Sequence, residues 1–431
     1  MKSEQKKIHS SLLIVPCLLF ILLSACASSQ LAPSGPLEIP ADIAGLVHAG
    51  QTNTPEEYAL VNRLGASWTL TTFYWNRIER VENQWNFESY DKFVDTANAA
   101  GIKILGVLAY DVTWIHDDGK LHDYIPPDKM PLFLEYVRRT TEHFRGRVDA
   151  WCIWNEPNFL FWHGSRDEYL DLARQAADAL RETDPDVTLL GGAFNRGVFG
   201  LPRAYIRGLF ESGAMDKADG VAFHPYELNP ARTISLYNAF RAMVAEYGFG
   251  GKIWLTEVGY PTGGRYPTAI KEKDFPPYIV KTFVSLALGG AQKILWYQLF
   301  DQAERVKNDS EDYFGLVRSR EDYTSKGAEA FRLCAVYLAG TVYRPDLPSR
   351  EKLPRSLRAF YFEQPTGGGA LVLWKEGAST RITLQTPAGS ALHDPVSGSS
   401  TAIPEETTIT VGSMPVFVTW TGDGAVRVET R

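Results

Sequence analysis

The sequence contains few cysteines and no recognisable metal-binding pattern. Only four of its 431 residues are cysteine. Cys152 lies in an apolar strand pattern and Cys334 in a helical pattern, which predicts a buried free thiol at each position. Histidines, cysteines and acidic residues do not occur at the spacings typical of a metal site. We therefore expect no disulfide framework, no bound metal and no organic cofactor.

Positive charge and a phosphate-binding turn are also lacking. The chain has 44 lysines and arginines against 51 acidic residues, a formal net charge of −7. This balance argues against nucleic acid and against strongly acidic polymers as partners. Ala49, Gly50 and Gln51 follow the first predicted strand, and they do not form the glycine-rich turn of a dinucleotide-binding fold. An open, doubly wound sheet is therefore the weaker structural alternative.

The one apolar run near the N-terminus, residues 12–23, is too short for a comfortable membrane span. It follows three lysines in the first seven residues, a pattern typical of an export signal. Residues 23–26, Leu-Ser-Ala-Cys, resemble the lipobox of bacterial lipoproteins. The resemblance implies removal of residues 1–25 and acylation of Cys26, and ordinary signal cleavage nearby is the alternative. Losing three lysines and one glutamate would change the formal net charge from −7 to −9.

This interpretation implies a lipid-anchored protein of the bacterial cell envelope, either periplasmic or exposed at the surface. Residues 26–40 begin with a small and polar stretch, and they would form a tether between the anchor and the folded chain. We expect the membrane to be contacted through the lipid anchor and the chain to act as a monomer.

Strand-like and helix-like patterns alternate through residues 41–343. Eight strand–helix units over this length predict a (β/α)8 TIM barrel, an α/β fold. The predicted strands are residues 43–48, 66–73, 102–110, 148–154, 187–193, 220–226, 252–257 and 293–299.

The pattern changes to short alternating runs punctuated by glycine in residues 344–431. The first twelve of these residues are rich in proline and charge and predict a connector. The remainder predicts a small C-terminal antiparallel β-sandwich with a structural role, docked on the barrel.

Two glutamates lie at the tips of predicted barrel strands. Residues 148–158 form an apolar strand pattern that ends at Pro157, which places Glu156 at the C-terminal edge of the strand. Residues 252–260 repeat this design with Glu257 at the tip. Each could be a structural carboxylate paired with an arginine, but two at matching strand ends favour a glycosidase site.

The sequence around both glutamates resembles that of the retaining clan A glycoside hydrolases. Residues 154–158, followed by Phe161 and Trp162, resemble their acid/base strand, and residues 253–260 resemble their nucleophile strand. Within the clan the likeness is greatest to family 39 and its relatives, some of which act on bacterial exopolysaccharide. The resemblance implies that Glu156 is the general acid/base and Glu257 the nucleophile.

Further residues receive expected roles from the same resemblance and from their positions at strand ends. Asn155 would bond the sugar 2-hydroxyl and Tyr226 the nucleophile, while Trp296 would be the platform under the reacting sugar. His224 would line the same pocket, or else be a satisfied structural histidine. Aromatic and histidine side chains near other strand tips suit a sugar groove or simple packing: His48, Tyr110, Trp114 and Trp162.

The predicted function is therefore a retaining β-glycosidase that hydrolyses O-glycosidic bonds of a polysaccharide or oligosaccharide by double displacement. Two alternatives stay open at this point. One is a transglycosylase with the same site, and the other is an inactive carbohydrate-binding lipoprotein.

Overall fold

The computed structural model describes residues 32–50, 53–196, 200–264, 269–302, 309–319, 324–347, 353–354 and 356–430. The predicted signal segment and Cys26 lie outside the described residues. Within these ranges, no helix combines the length and the apolar character that crossing a membrane requires.

Eight parallel strands form a closed barrel, as the sequence predicts. Each strand pairs with the next along the chain, and the last one pairs with the first. After a short first strand, β1 (Leu37–Glu38), the barrel strands are β2 (Ala44–Val47), β3 (Trp68–Tyr74), β4 (Lys103–Ala109), β5 (Ala150–Ile153), β6 (Thr188–Asn195), β7 (Gly220–His224), β8 (Lys252–Val258) and β9 (Lys293–Trp296).

Helices lie between the barrel strands, and polar side chains cap the N-termini of two of them. Thr54 accepts a hydrogen bond from the Glu57 amide at the first helix, and Ser165 forms a reciprocal capping box with Glu168. The helices are α1 (Pro55–Arg63), α2 (Trp75–Ile78), α3 (Glu88–Ala99), α4 (Met130–His143), α5 (Arg166–Thr183), α6 (Arg203–Glu211), α7 (Pro230–Ala245), α8 (Phe275–Leu288) and α9 (Ala328–Leu338).

A buried lysine closes the N-terminal end of the barrel. The Lys293 ammonium lies 2.7 Å from Asp42 Oδ1 and within cation–π distance of the Trp68 and Trp254 rings. Strands β3 and β9 begin at this end of the barrel. The C-terminal tips of the strands, which carry the polar residues, therefore lie at the opposite end.

The C-terminal strands form two antiparallel sheets, which confirms the predicted fold class. A seven-stranded sheet has the order β1, β10, β11, β12, β17, β14, β15, and a three-stranded sheet has the order β16, β13, β18. These strands are β10 (Val342–Tyr343), β11 (Leu357–Glu363), β12 (Gly369–Lys375), β13 (Thr380–Gln385), β14 (Ala391–His393), β15 (Ser400–Ala402), β16 (Glu406–Val411), β17 (Val416–Trp420) and β18 (Arg427–Thr430).

Alternate side chains of β11 face different hydrophobic cores. Phe360 and Phe362 belong to the core that includes the barrel, while Tyr361 belongs to the core between the two sheets. The seven-stranded sheet therefore packs on the barrel with one face and on the small sheet with the other.

Strand β1 shortens the tether predicted for residues 26–40. Its residues 37–38 pair with Val342–Tyr343 and belong to the folded part. Cys152 on β5 and Cys334 on α9 are both buried free thiols, as predicted.

Candidate active site

The turn after β5 places the Glu156 carboxyl at the C-terminal end of the barrel. The strand ends at Ile153, because Trp154 turns into the left-handed region with φ 67°. Glu156 has φ 45°, and its amide donates to the Ala193 carbonyl at 3.0 Å. Left-handed backbone at residues with a Cβ is unfavourable and tends to occur at functional sites, where the surrounding structure holds it.

One oxygen of Glu156 is held by two donors. Asn195 Nδ2 donates to Glu156 Oε1 at 2.7 Å, and His224 Nδ1 lies 2.7 Å from the same oxygen. No described residue bonds Oε2. Oε2 is therefore the oxygen of this carboxyl group that is available to a ligand.

Glu257 lies near the end of β8, and its carboxylate is held by a tyrosine. Tyr226 Oη donates to Glu257 Oε2 at 2.8 Å, and His224 Nδ1 lies 3.7 Å from that oxygen. Burial raises the pKa of Glu257 above its ordinary value, and the Glu156 charge adds to this rise. The nearby His224 and the Tyr226 hydrogen bond oppose the shift.

His224 links the two carboxylates. The ring is buried, and its Nε2 lies 2.9 Å from Thr256 Oγ1. Burial by itself would lower the pKa of His224, but the Glu257 and Glu156 carboxylates raise that pKa above its ordinary value. The ring therefore lies between the two acids, next to Glu156 and within 3.7 Å of Glu257 Oε2.

The three groups are close together. One carboxylate oxygen of Glu156, one of Glu257 and one ring nitrogen of His224 lie within 4.8 Å of one another. The same atoms could surround a metal ion. However, Glu156 Oε1 already accepts two hydrogen bonds and His224 Nδ1 is used in one of them, so the donor set fits a hydrogen-bonded acid pair better.

Tyr110 and Asn155 lie on the Glu156 side of the site. The Asn155 side chain lies next to the Tyr110 hydroxyl, and the Tyr110 ring packs on Trp154 at 5.2 Å. Burial, together with the charges of Glu156 and Glu257, raises the pKa of Tyr110 well above its ordinary value. The structure therefore brings both predicted residues to the carboxylate pair.

Trp296 does not have the predicted position. It is fully buried, and its ring contacts Tyr260 and Phe275 at 6.0 and 6.2 Å, on the side of α8. The next residue, Tyr297, faces the pocket instead, with its ring 6.2 Å from that of Tyr226. The prediction of Trp296 as the platform is wrong. Successive side chains along a strand point to opposite faces, and here Tyr297 points into the pocket while Trp296 points away from it.

Two other predicted groove residues are packing residues. Trp162 is buried against Trp154 at 5.0 Å, and its Nε1 donates to the Ser165 carbonyl. Trp114 packs on Trp75 at 5.5 Å, and its Nε1 donates to the Glu79 carbonyl. The indole nitrogen of each residue already donates to a backbone carbonyl. Trp114 and Trp162 therefore fit the packing alternative and not the sugar groove.

Several site residues were missed by sequence reasoning. Asn195 and Thr256 bond Glu156 and His224 from neighbouring strands, and no local motif marks either one. Glu311 accepts from Tyr297 Oη at 3.4 Å. The surrounding protein and the Glu257 charge raise the pKa of Glu311 to about 7, although its side chain reaches solvent. A polar residue paired across strands leaves no pattern in one sequence. The aromatic pair 296–297 marks the strand end but does not tell which of the two rings faces the pocket.

A cavity of about 440 Å³ borders this centre, and we call it the side cavity. His48 and Tyr74 are common to both regions, since the His48 ring lies 5.6 Å from Tyr297 and the Tyr74 ring 5.8 Å from Tyr110. Burial lowers the pKa of His48 to about 4, so this ring is neutral at neutral pH. The other lining residues are Ala49, Gly50, Asn53, Thr71, Thr72, Arg77, Ser89, Tyr90 and Phe93.

No protein-family model matches the chain. In sequence the chain is similar to endo-1,4-beta-xylanase B of Thermotoga neapolitana, with 24% identity over 217 residues. The match covers 46% of this chain and 60% of the xylanase, so the chain spans less than two thirds of that curated relative.

Solved structures give a likeness over most of the chain. A family 39 glycoside hydrolase from the gut symbiont Bacteroides cellulosilyticus superposes with a TM-score of 0.72 and 20% identity, over 88% of this chain and 81% of that chain. The chain has the fold of the family 39 glycoside hydrolases. A family 39 beta-xylosidase from Caulobacter crescentus gives a TM-score of 0.65 and 15% identity, over 91% of this chain and 98% of that chain. With 88% and 91% of this chain covered, the likeness extends beyond the barrel into the C-terminal sheets.

Proposed function

We propose that this chain is a retaining β-glycosidase that hydrolyses O-glycosidic bonds of a polysaccharide or oligosaccharide. The observation that carries the proposal is the pair Glu156 and Glu257, with oxygens within 4.8 Å of each other at the ends of β5 and β8. Retaining enzymes hold their carboxyl groups about 5–5.5 Å apart and inverting enzymes about 6.5–9.5 Å apart. The similar proteins reported above are glycoside hydrolases, which supports the proposal.

In the first step, Glu257 attacks the anomeric carbon with the oxygen that Tyr226 does not bond. The bond to the leaving oxygen breaks, and Glu156 transfers its Oε2 proton to that oxygen. Hydrogen bonds from Tyr226 and the charge of His224 favour the ionised form of Glu257 before attack. A β-glycoside then becomes an α-linked glycosyl-enzyme ester.

In the second step, Glu156 is ionised and removes a proton from water as the water attacks the anomeric carbon. The ester bond to Glu257 breaks, and the sugar leaves with its original β configuration. Asn155 lies beside Glu156, and we assign it the hydrogen bond to the sugar 2-hydroxyl. Tyr297 takes the role of the aromatic surface under the sugar.

We also propose that Cys26 is acylated and anchors the enzyme in the bacterial cell envelope. The support is the residue pattern of 23–26 after a basic and apolar leader. Mass spectrometry of the membrane fraction should find a diacylglyceryl group at Cys26, and Cys26→Ala should move the protein to the soluble fraction.

The stereochemical course tests the mechanism directly. The similar proteins include a beta-xylosidase and a xylanase, so aryl β-xylosides are the first substrates to use, followed by other aryl β-glycosides and bacterial exopolysaccharides. Proton NMR during hydrolysis should show the β-anomer of the sugar before mutarotation. Initial release of the α-anomer would contradict the retaining assignment.

Product analysis separates hydrolysis from the two alternatives. With an added sugar acceptor, a hydrolase should still release mainly free sugar, while a transglycosylase would release coupled product. An inactive binding protein would give neither. The carboxylate pair disfavours the inactive alternative, because Asn195 and Tyr226 hold one oxygen of each acid and leave the other oxygen of each available for the reaction.

A further inference from the structure

The side cavity contains a cationic group that no acid of the described chain neutralises. Arg77 is the one residue with a formal charge at neutral pH among those that line the cavity. Its guanidinium carbon lies 4.3 Å from the centre of the Tyr74 ring, and its side chain interacts with the Tyr90 hydroxyl. Within the described ranges, no carboxylate forms an ion pair with it.

Another arginine near the C-terminal end of the barrel, unlike Arg77, is paired with an acid. Arg196, next to Asn195, pairs with Glu227 at 2.6 Å, and Arg232 shares that carboxylate at 3.1 Å. An arginine already paired with an acid can still bind neutral hydroxyl groups. A guanidinium without an acid, fixed by stacking, instead favours an anionic group that accepts two parallel hydrogen bonds.

The rest of the cavity fits a sugar. Thr72 and Ser89 offer hydroxyl groups, Asn53 offers an amide, and Tyr74 offers an aromatic face. Asn53 Oδ1 is buried without a partner in the described structure, so it can accept a hydroxyl proton from a ligand. A volume of about 440 Å³ is within the range of small-molecule sites.

We propose that the side cavity is a second sugar subsite, next to the reacting sugar, that selects a residue carrying a carboxylate. The substrate class is then a glycan with a uronic acid beside the sugar that is cleaved. This inference rests on the proposed glycosidase function, which defines the reacting sugar. The net negative charge of the chain disfavours densely acidic polymers, so the uronic acid is an isolated residue in an otherwise neutral glycan.

Matched trisaccharides test the proposal without turnover. The probes are cellotriose and its three isomers in which one glucose is oxidised at C6 to glucuronic acid, and the corresponding set from β-1,4-mannotriose. Each pair differs only in a hydroxymethyl group against a carboxylate. Binding is measured by calorimetry on the full chain carrying Glu257→Gln, which cannot form the glycosyl-enzyme.

At least one acidic trisaccharide should bind on the order of tenfold more tightly than its neutral parent, the size expected of one charge-assisted contact. Adding Arg77→Gln should abolish this preference, and raising the salt concentration should weaken it. Adding Arg77→Lys, which keeps the charge and loses the planar fork, should leave part of it. The control is Arg80→Gln. Arg80 lies three positions on and is exposed, as Arg77 is, but it does not line the cavity, so this variant should keep the full preference.

Three results would overturn the proposal: neutral trisaccharides that bind as well as every acidic isomer, a preference that survives Arg77→Gln, or acidic isomers that do not bind at all. If Arg77→Gln fails to fold, Arg77→Lys provides the test. An unchanged preference for the acidic trisaccharide in Arg77→Lys would show that the planar guanidinium does not bind the carboxylate, and would overturn the proposal. Turnover of aryl β-glycosides by the native chain is a separate readout. Absent turnover contradicts the glycosidase function, while turnover with no Arg77-dependent preference contradicts only the subsite.

Discussion

At the scale of single residues, the two glutamates should fail in different ways. Glu257→Gln removes the nucleophile, so activity should fall by several orders of magnitude on every substrate. Glu156→Gln removes the proton donor and the later base, each of which contributes about 10²–10⁴-fold. An activated aryl leaving group needs little protonation, so that variant should give a burst of aryl release followed by slow turnover.

Azide rescue provides the measurement that separates the two roles. Azide needs no general base, so it should restore turnover of Glu156→Gln and yield the β-glycosyl azide. Any rescue of Glu257→Gln should yield the α-anomer, because azide then attacks the vacated face directly. The reverse pattern would mean that the two roles are exchanged, and near-normal activity of both variants would contradict the glycosidase proposal.

The hydroxyl of Tyr226 should set the acidic limit of activity. Glu257 must be ionised to attack, and burial raises its pKa while the Tyr226 hydrogen bond lowers it. Tyr226→Phe removes the lowering contribution, so the Glu257 pKa should rise and the acidic limb of kcat/KM should move to higher pH. Tyr278→Phe, a tyrosine of α8, is the control and should leave the limb in place. An unmoved limb in Tyr226→Phe would show that this hydrogen bond does not stabilise the carboxylate.

A site residue could be predicted from the sequence where the pattern of a single strand is enough to locate it. Glu156 and Glu257 each end an apolar run, and burial at a strand tip is readable from that run alone. Tyr297 could not be separated from Trp296, because the register between β8 and β9 shifts after Leu255 and changes which aromatic faces inward. Asn195 is a partner across strands, which only the closed barrel brings to Glu156.

At the scale of elements, a buried ion pair holds the segment after β9. Lys326 Nζ lies 2.7 Å from Asp301 Oδ1, both side chains are buried, and the same oxygen accepts from the Gly315 amide. This segment carries Phe314, whose ring packs at 5.2 Å on Tyr297. The pair therefore fixes one wall of the catalytic pocket.

Breaking this pair should affect stability and activity together. Lys326→Met removes the ammonium group from this buried ion pair, which should lower the free energy of unfolding by about 3–5 kcal/mol. The wall formed by Phe314 and Tyr297 should loosen, so kcat/KM should fall as well. Denaturant titration and aryl glycoside kinetics measure the two effects. Lys92→Met, on the exposed face of α3, is the matched control, and equal stability of the two variants would contradict a structural role for the pair.

Element boundaries were readable where capping chemistry is local. Thr54 and Ser165 mark helix starts because their side chains bond amides only three residues away. Strand ends were less predictable: β5 ends before Trp154 and β9 before Tyr297, each short of the apolar run that continues past it. In both cases the chain leaves the strand to form the site. The residues of the site are therefore those where the apolar run predicts a strand but the backbone has already left it.

At the scale of the whole molecule, the barrel and the C-terminal sheets share one hydrophobic core. Phe360, Phe362, Trp374 and Phe417 are buried in the same cluster as the barrel residues. Strand β1 adds a backbone connection, because it precedes the barrel in sequence and pairs with β10 after it. The alternating apolar side chains of β11 predict a strand buried on both faces. They do not predict which of the two faces contacts the barrel.

The shared core predicts that the C-terminal sheets and the barrel unfold in one transition. Deleting residues 345–431 should expose the barrel face that these aromatics cover, and the truncated chain should be insoluble or aggregate. In the full chain, Phe362→Ala should destabilise by about 3–5 kcal/mol and lower the melting temperature of both parts together. Val396→Ala, at a half-exposed position in the turn between β14 and β15, is the control and should change little. A truncated barrel that stays soluble and folded, or two separate calorimetric transitions, would show that the sheets form an independent module rather than part of the catalytic fold.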